Sequence, residues 1–95
     1  MPEQAAAVET AEAWLRHSVC VLVDEPGAVV VRVAEGTQAD LFEVTVAPAD
    51  VPHILGKGGA NVDALRHLLH CLGGKARRHF HLQIVDTRKG AVGPA

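Results

Sequence analysis

The chain has 95 residues, 48% hydrophobic and 21% charged, with a formal net charge of −2. That suffices for one small domain with its own core and leaves no room for a separate substrate domain, so an enzyme is not expected. The longest apolar run, Val19–Val23, is far short of the roughly 20 residues a membrane span needs, and the N-terminus is acidic where a signal peptide is basic, so a cytoplasmic protein without membrane contact is expected.

In chain order, residues 3–16 are Ala-rich, and Val8, Ala11, Leu15 and Val19 recur every three or four residues. This predicts a helix with one apolar stripe, Trp14 beside it. By propensity "VCVLV" (19–23) is either the end of that helix or a strand, and Asp24-Glu25-Pro26-Gly27 stops it. "AVVVRV" (28–33) and "LFEVTV" (41–46) predict two strands joined by the turn "AEGTQAD". Pro48 ends the second strand, and "PADVPHIL" allows only a short helix, because Pro52 is tolerated only in a first turn. After Gly56–Gly59 a longer helix is predicted over residues 60–72, with Val62, Leu65, Leu68, Leu69 and Leu72 on one core face and Gly73-Gly74 as its stop. In "HFHLQIV" Phe80, Leu82 and Ile84 alternate with His79, His81 and Gln83, which predicts a half-buried strand. Residues 87–95 read as a disordered tail and residues 1–86 as a single domain.

Charge is unevenly divided. Residues 1–48 hold eight acidic and two basic side chains, whereas residues 49–95 hold seven basic and three acidic ones. The basic half carries the Gly56-Lys57-Gly58-Gly59 loop, and a polyanion would be drawn to it. Consecutive glycines let another molecule approach the main chain closely. The helix that follows turns its N-terminal N–H groups and dipole toward the same space, and Lys57 adds a mobile charge. Together they suit a phosphate. A nucleotide-hydrolysing phosphate loop needs a strand before it and Ser or Thr after the lysine; a dinucleotide fingerprint also needs the strand. Neither is present.

A GxxG loop between two helices and flanked by strands is the arrangement of KH domains, which clamp the backbone of about four single-stranded nucleotides there. "LVDEPGAVVVRVAEG", "EVTVAPADVPHILGKGGANVDALRHLL" and "HLQIVD" resemble the small bacterial single-KH-domain RNA-binding proteins of the KhpA (YlqC) type, over roughly residues 8–86. "VAPADV" and "ALRHLL" are the most specific pieces. The resemblance implies an α+β fold, the type II KH order α-β-β-α-α-β, with helices on one face of a three-stranded sheet and "VCVLV" ending the first helix. It implies non-catalytic binding of single-stranded RNA, as a chaperone-like or regulatory module. It also implies pairing with itself or with a larger KH-containing RNA-binding partner implicated in cell shape and division. Carried over residue by residue, the RNA site is Ile54 at the groove floor, the loop Gly56, Lys57, Gly58 and Gly59, then Ala60, Asn61 and Arg66. Lys57 and the Gly58 and Gly59 amides are expected on phosphates. Gly58 and Ala60 stand where the family usually carries polar or basic side chains, which lowers the expected affinity. The alternative function is a protein-interaction subunit that uses the same fold for dimerisation.

No cofactor is expected. His67, His70 and Cys71, with His79 and His81, offer zinc-type ligands, but the helical wheel and the strand alternation put the two histidine pairs on opposite sides of the domain. Cys20 and Cys71 lack CxxC spacing and read as buried, reduced thiols. With one Trp, two Phe and no Tyr, an aromatic stacking platform is excluded.

Overall fold

The structure, a computed structural model, describes the backbone of residues 2–86 and the side chains of residues 5–86; the expected tail, 87–95, lies outside the described residues. Helix α1 spans Pro2–Leu22, strands β1 and β2 span Val30–Glu35 and Ala39–Thr45, helix α2 spans Val51–Leu55, helix α3 spans Ala60–Lys75 and strand β3 spans His79–Val85. Short 3-10 turns precede β1, α2 and α3. The sheet order is β1-β2-β3, with β1 antiparallel and β3 parallel to β2. A parallel pair cannot be joined by a hairpin. The connection from β2 to β3 therefore carries α2, the glycine loop and α3, and this places the loop at one end of the sheet.

Burial settles the ambiguous "VCVLV". Val19 and Val23 are buried, whereas Val21 between them is 84% exposed. A strand would put all three on one face, so this pattern is helical, and α1 runs through it to Leu22. Val8, Ala11, Leu15 and Val19 bury one stripe of α1 against Phe42 and Val44 of β2, Phe80, Leu82 and Ile84 of β3, and Val62, Leu65 and Leu69 of α3. The Phe42 and Phe80 rings meet edge to face with centroids 5.0 Å apart, a geometry worth about 0.5–1.5 kcal/mol beyond burial. The other sheet face carries His79 and His81, exposed, with Glu43 and Gln83 half-buried. Leu68, expected in the core, is 44% exposed. Its place on the wheel is the margin of the stripe, and the sheet beneath is filled by Leu65 and Leu69. Cys71 also corrects its expectation, being exposed, while Cys20 is half-buried.

The glycine pair does not stop α3. The helix continues to Lys75, because Gly73 packs onto β3 rather than capping. A Cβ there would lie 2.9 Å from the Arg78 carbonyl oxygen and 3.0 Å from Phe80. The stop is a Schellman turn in which Arg78 N–H donates to Gly73 O at 2.8 Å and Arg77 N–H to Gly74 O at 3.1 Å. Arg77, at φ 59°, occupies the left-handed position that usually falls to glycine. Arg78 is then aimed across the sheet. Its Nε and Nη2 donate to the buried Asp40 carboxylate at 2.9 and 2.7 Å, and Nη1 and Nη2 donate to Thr37 O and Gly36 O. These bonds fasten the β1–β2 turn to the start of β3. The Asp40 hydrogen bonds raise the pKa of Arg78 above its ordinary value, with desolvation opposing and the charges of Asp40 and Glu35 adding.

Adjacent glycines should therefore respond oppositely to alanine. Gly74 has open space around it, so Gly74→Ala is expected to raise stability by about 0.5–1 kcal/mol through helix propensity. Gly73→Ala is expected to lower it by about 1–3 kcal/mol through overpacking against backbone. Urea denaturation of both variants checks the pair of signs. Thermal melts test the clamp in the same way: Arg78→Met should lower Tm far more than Arg16→Met. The latter breaks only the exposed Arg16–Glu12 pair, whereas the former leaves a buried carboxylate without its cation.

Candidate nucleic-acid interface

α2 is little more than one turn, and Gly56 closes it by donating its N–H to Pro52 O at 2.9 Å. The chain reverses at once. Gly56 has φ 73° and ψ 175°, a region essentially restricted to glycine, and a Cβ there would come within 2.6–2.9 Å of Asn61. That close approach has a purpose in the geometry: Asn61 Nδ2 donates to His53 O at 2.8 Å, tying the first turn of α3 to α2. Gly58 and Gly59 follow with φ 64° and 80°, and Lys57 stands exposed between the reversals.

Two amides of the loop are consumed within it. Gly59 N–H donates to Gly56 O at 3.2 Å, and Ala60 N–H to Lys57 O. Among the described residues, no backbone acceptor meets the N–H of Lys57 or Gly58. The open donors are thus Lys57 and Gly58, one residue earlier than the Gly58 and Gly59 pair expected from sequence. They sit beside the N-terminus of α3, a sixteen-residue helix whose dipole favours an anion there.

A groove of about 440 Å³ adjoins the loop. Val51 and Leu55 of α2, Gly58 and Gly59, and Val62, Asp63 and Arg66 of α3 form one wall, with Leu82, Gln83 and Ile84 of the edge strand β3 on the other. Ile54, expected on its floor, is fully buried in the core, and its neighbour Leu55, half-buried, lines the groove with Val51. Arg66 lies in the groove with Nε 3.4 Å from Leu82 O and Nη1 3.8 Å from Asp63 Oδ1. Ala60 is exposed on α3, outside the groove lining. The groove therefore collects Gly58, Gly59 and Arg66 of the expected set, with Lys57 at its rim. Gly56 and Asn61 hold its shape.

The sequence of the chain between residues 12 and 84 matches the family model described as the KH domain of KhpA/KhpB. The chain belongs to that family. Curated relatives named "RNA-binding protein KhpA" are 33% identical over 75 residues in Chlamydia trachomatis serovar D, covering 79% of this chain and 96% of that protein. In Treponema pallidum the figures are 32% over 75 residues, 79% and 94%, and in Mycobacterium leprae 34% over 73 residues, 77% and 88%. No solved structure matches. The three-helix, three-stranded α+β arrangement is the type II KH fold. No helix among the described residues is long and apolar enough to cross a membrane.

Two features of this KH domain escaped the sequence. The buried Asp50 accepts the backbone N–H groups of Asp24 and Glu25, both at 3.0 Å, and so pins the end of α1 to the start of α2. His53 completes the clasp, with Nε2 3.4 Å from Asp24 Oδ2 and 3.9 Å from Asp50 Oδ1. These three offer ligand atoms within 4.8 Å of one another, but both Asp50 oxygens are already engaged, and the group is a polar clasp. The histidines weighed as zinc ligands lie elsewhere: His67 and His70 are exposed on α3, and His79 and His81 on β3. The second feature concerns charge. Lys75, Arg77 and Arg78 fall at the far end of α3, about 24 Å from the loop for a helix of this length, so three of the five basic residues of this half that the structure describes are remote from the groove.

Asn61→Ala should cost about 0.5–1.5 kcal/mol, the usual worth of one lost hydrogen bond. It should also speed amide exchange at Gly56–Gly59, while β2 and β3 exchange as before. Hydrogen-exchange NMR reads both.

Proposed function

We propose that the chain binds single-stranded RNA without catalysis, gripping the phosphate backbone at Lys57 and Gly58 and laying bases along the groove toward Leu82–Ile84. The observation that carries this reading is the pair of open amides at Lys57 and Gly58, beside a helix N-terminus, with a lysine side chain and an apolar-walled groove within reach. The names of the relatives agree with it. Two free thiols, Cys20 and Cys71, suit a reducing cytoplasm.

Among the described residues the cation inventory at the site is small. With Lys57 and Arg66 as its charges, two or three phosphates are neutralised, for a slope of log K against log salt of about −1.5 to −2 on a single strand. Without the roughly 1–3 kcal/mol per base of aromatic stacking, the isolated domain should bind in the micromolar range. Useful affinity then comes from a second RNA-binding module held nearby, in another copy of the chain or in a larger KH-containing partner. That pairing suits a chaperone-like or regulatory role. A second reading, a protein-interaction subunit with little RNA affinity of its own, draws on the exposed Val21 and Leu68.

The double variant Lys57→Asp/Gly58→Asp separates them. Gly58 has open space at its Cβ position but a φ of +64°, and Asp is among the residues that visit the left-handed region, so the fold should survive with a modestly lower Tm. Fluorescence anisotropy with an unstructured oligoribonucleotide is expected to show binding lost. Binding as tight as the parent's would remove the loop from the site and favour the protein-interaction reading.

A further inference from the structure

Asp63 is an acidic residue in the first turn of α3, and it lies in the groove itself. Its carboxylate is 3.9 Å from the space a side chain at Gly59 would occupy, its side chain is 73% exposed, and Oδ1 is 3.8 Å from Arg66 Nη1. Arg66 is held from a second direction by Leu82 O. The guanidinium therefore lies across the groove between Asp63 and the β3 edge, and Asp86 adds a further acidic residue to the lining. A phosphate entering over Gly58 meets the Asp63 charge at close range and competes with it for Arg66. An exposed ion pair contributes little to folding, so the weight of Asp63 falls on the ligand.

From this geometry we infer that Asp63 is a positioning residue that limits RNA affinity: it draws Arg66 away from the phosphate path and opposes the incoming backbone with its own charge. The inference rests on the RNA-binding reading of the same groove. It assigns the weakness of the site to a removable charge as well as to the missing cations at Gly58 and Ala60. Removing a unit charge that acts over several ångströms in a half-solvated groove changes affinity by about three- to tenfold.

The test compares the full chain with Asp63→Asn, Asp63→Glu, Arg66→Gln and the double variant Asp63→Asn/Arg66→Gln, by anisotropy with the same oligoribonucleotide over a salt series and with Tm measured in parallel. Asp63→Asn should bind about three- to tenfold tighter, with the salt slope moved to the steep end of the range of about −1.5 to −2, as Arg66, shared with Asp63 in the parent, engages its phosphate fully. Asp63→Glu should keep the parent affinity. In the Arg66→Gln background the gain should shrink and the slope should stay fixed. Neither the steeper slope of Asp63→Asn nor the dependence of its gain on Arg66 would be seen if Asp63 served only to stabilise the helix. Unchanged or weaker binding by Asp63→Asn at equal Tm would overturn the inference, as would an undiminished gain without Arg66. If Lys57→Asp/Gly58→Asp abolishes binding while Asp63→Asn leaves it unaltered, only this inference fails; if the loop variant binds normally, the RNA-site reading fails first.

Discussion

No side chain fits at residue 56. The join between α2 and α3 brings Asn61 so close that a Cβ on Gly56 would overlap it, and the backbone there occupies a region that only glycine enters readily. Everything the site offers follows from that reversal. Asn61 can reach His53 O only because the two helices approach this closely, and the Gly59 and Ala60 amides then close the turn on Gly56 and Lys57. The Lys57 and Gly58 amides are left pointing away from the protein's own acceptors. A backbone donor held this way loses little entropy on meeting an anion, since its geometry is already set.

The position of the loop is fixed from further away. Asp50 holds the end of α1 and the start of α2 in one clasp, Asn61 ties the first turn of α3 to α2, and Gly73 lets the other end of α3 sit flush on β3. α3 is thus gripped at both ends, with Leu65 and Leu69 buried between them. Arg78 supports the same arrangement from beneath, since it binds the β1–β2 turn to β3. The strongest cation–carboxylate contact in the described structure is consequently structural, and among the described residues the basic side chains nearest the groove are Lys57 and Arg66. Net charge along the chain gives a poor map of charge around the site.

Much of the fold was legible because it rests on periodicity. The stripe of α1, the alternation in β3 and the inward face of α3 follow from residue spacing alone, and the glycine loop announced a tight join between helices. What failed was local chemistry that spacing does not encode. Gly73-Gly74 carries the usual stop signal, yet Gly73 is there for packing, and the stop falls to Arg77 in a strained conformation. Ile54 and Leu55 are equally apolar, and only the direction of a one-turn helix decides which enters the core and which lines the groove. Propensity left "VCVLV" open; family resemblance placed it in α1. Asp50 stands two residues after Pro48 at the N-cap of α2, where capping is the ordinary expectation, but its carboxylate serves backbone 25 and 26 residues away. In the loop, residue types show where the reversal falls but not which amides stay open, because that depends on which N–H groups the turn itself consumes.

The most direct measurement is an amide NMR titration of the chain with a short, unstructured oligoribonucleotide. The Lys57 and Gly58 amides are expected to show the largest downfield shifts, as donors that gain a charged acceptor, with smaller changes along Leu82–Ile84 and little at Gly59, whose hydrogen stays on Gly56 O. Shifts concentrated on the open sheet face at His79 and His81, with Lys57 and Gly58 unmoved, would contradict a phosphate grip at the loop.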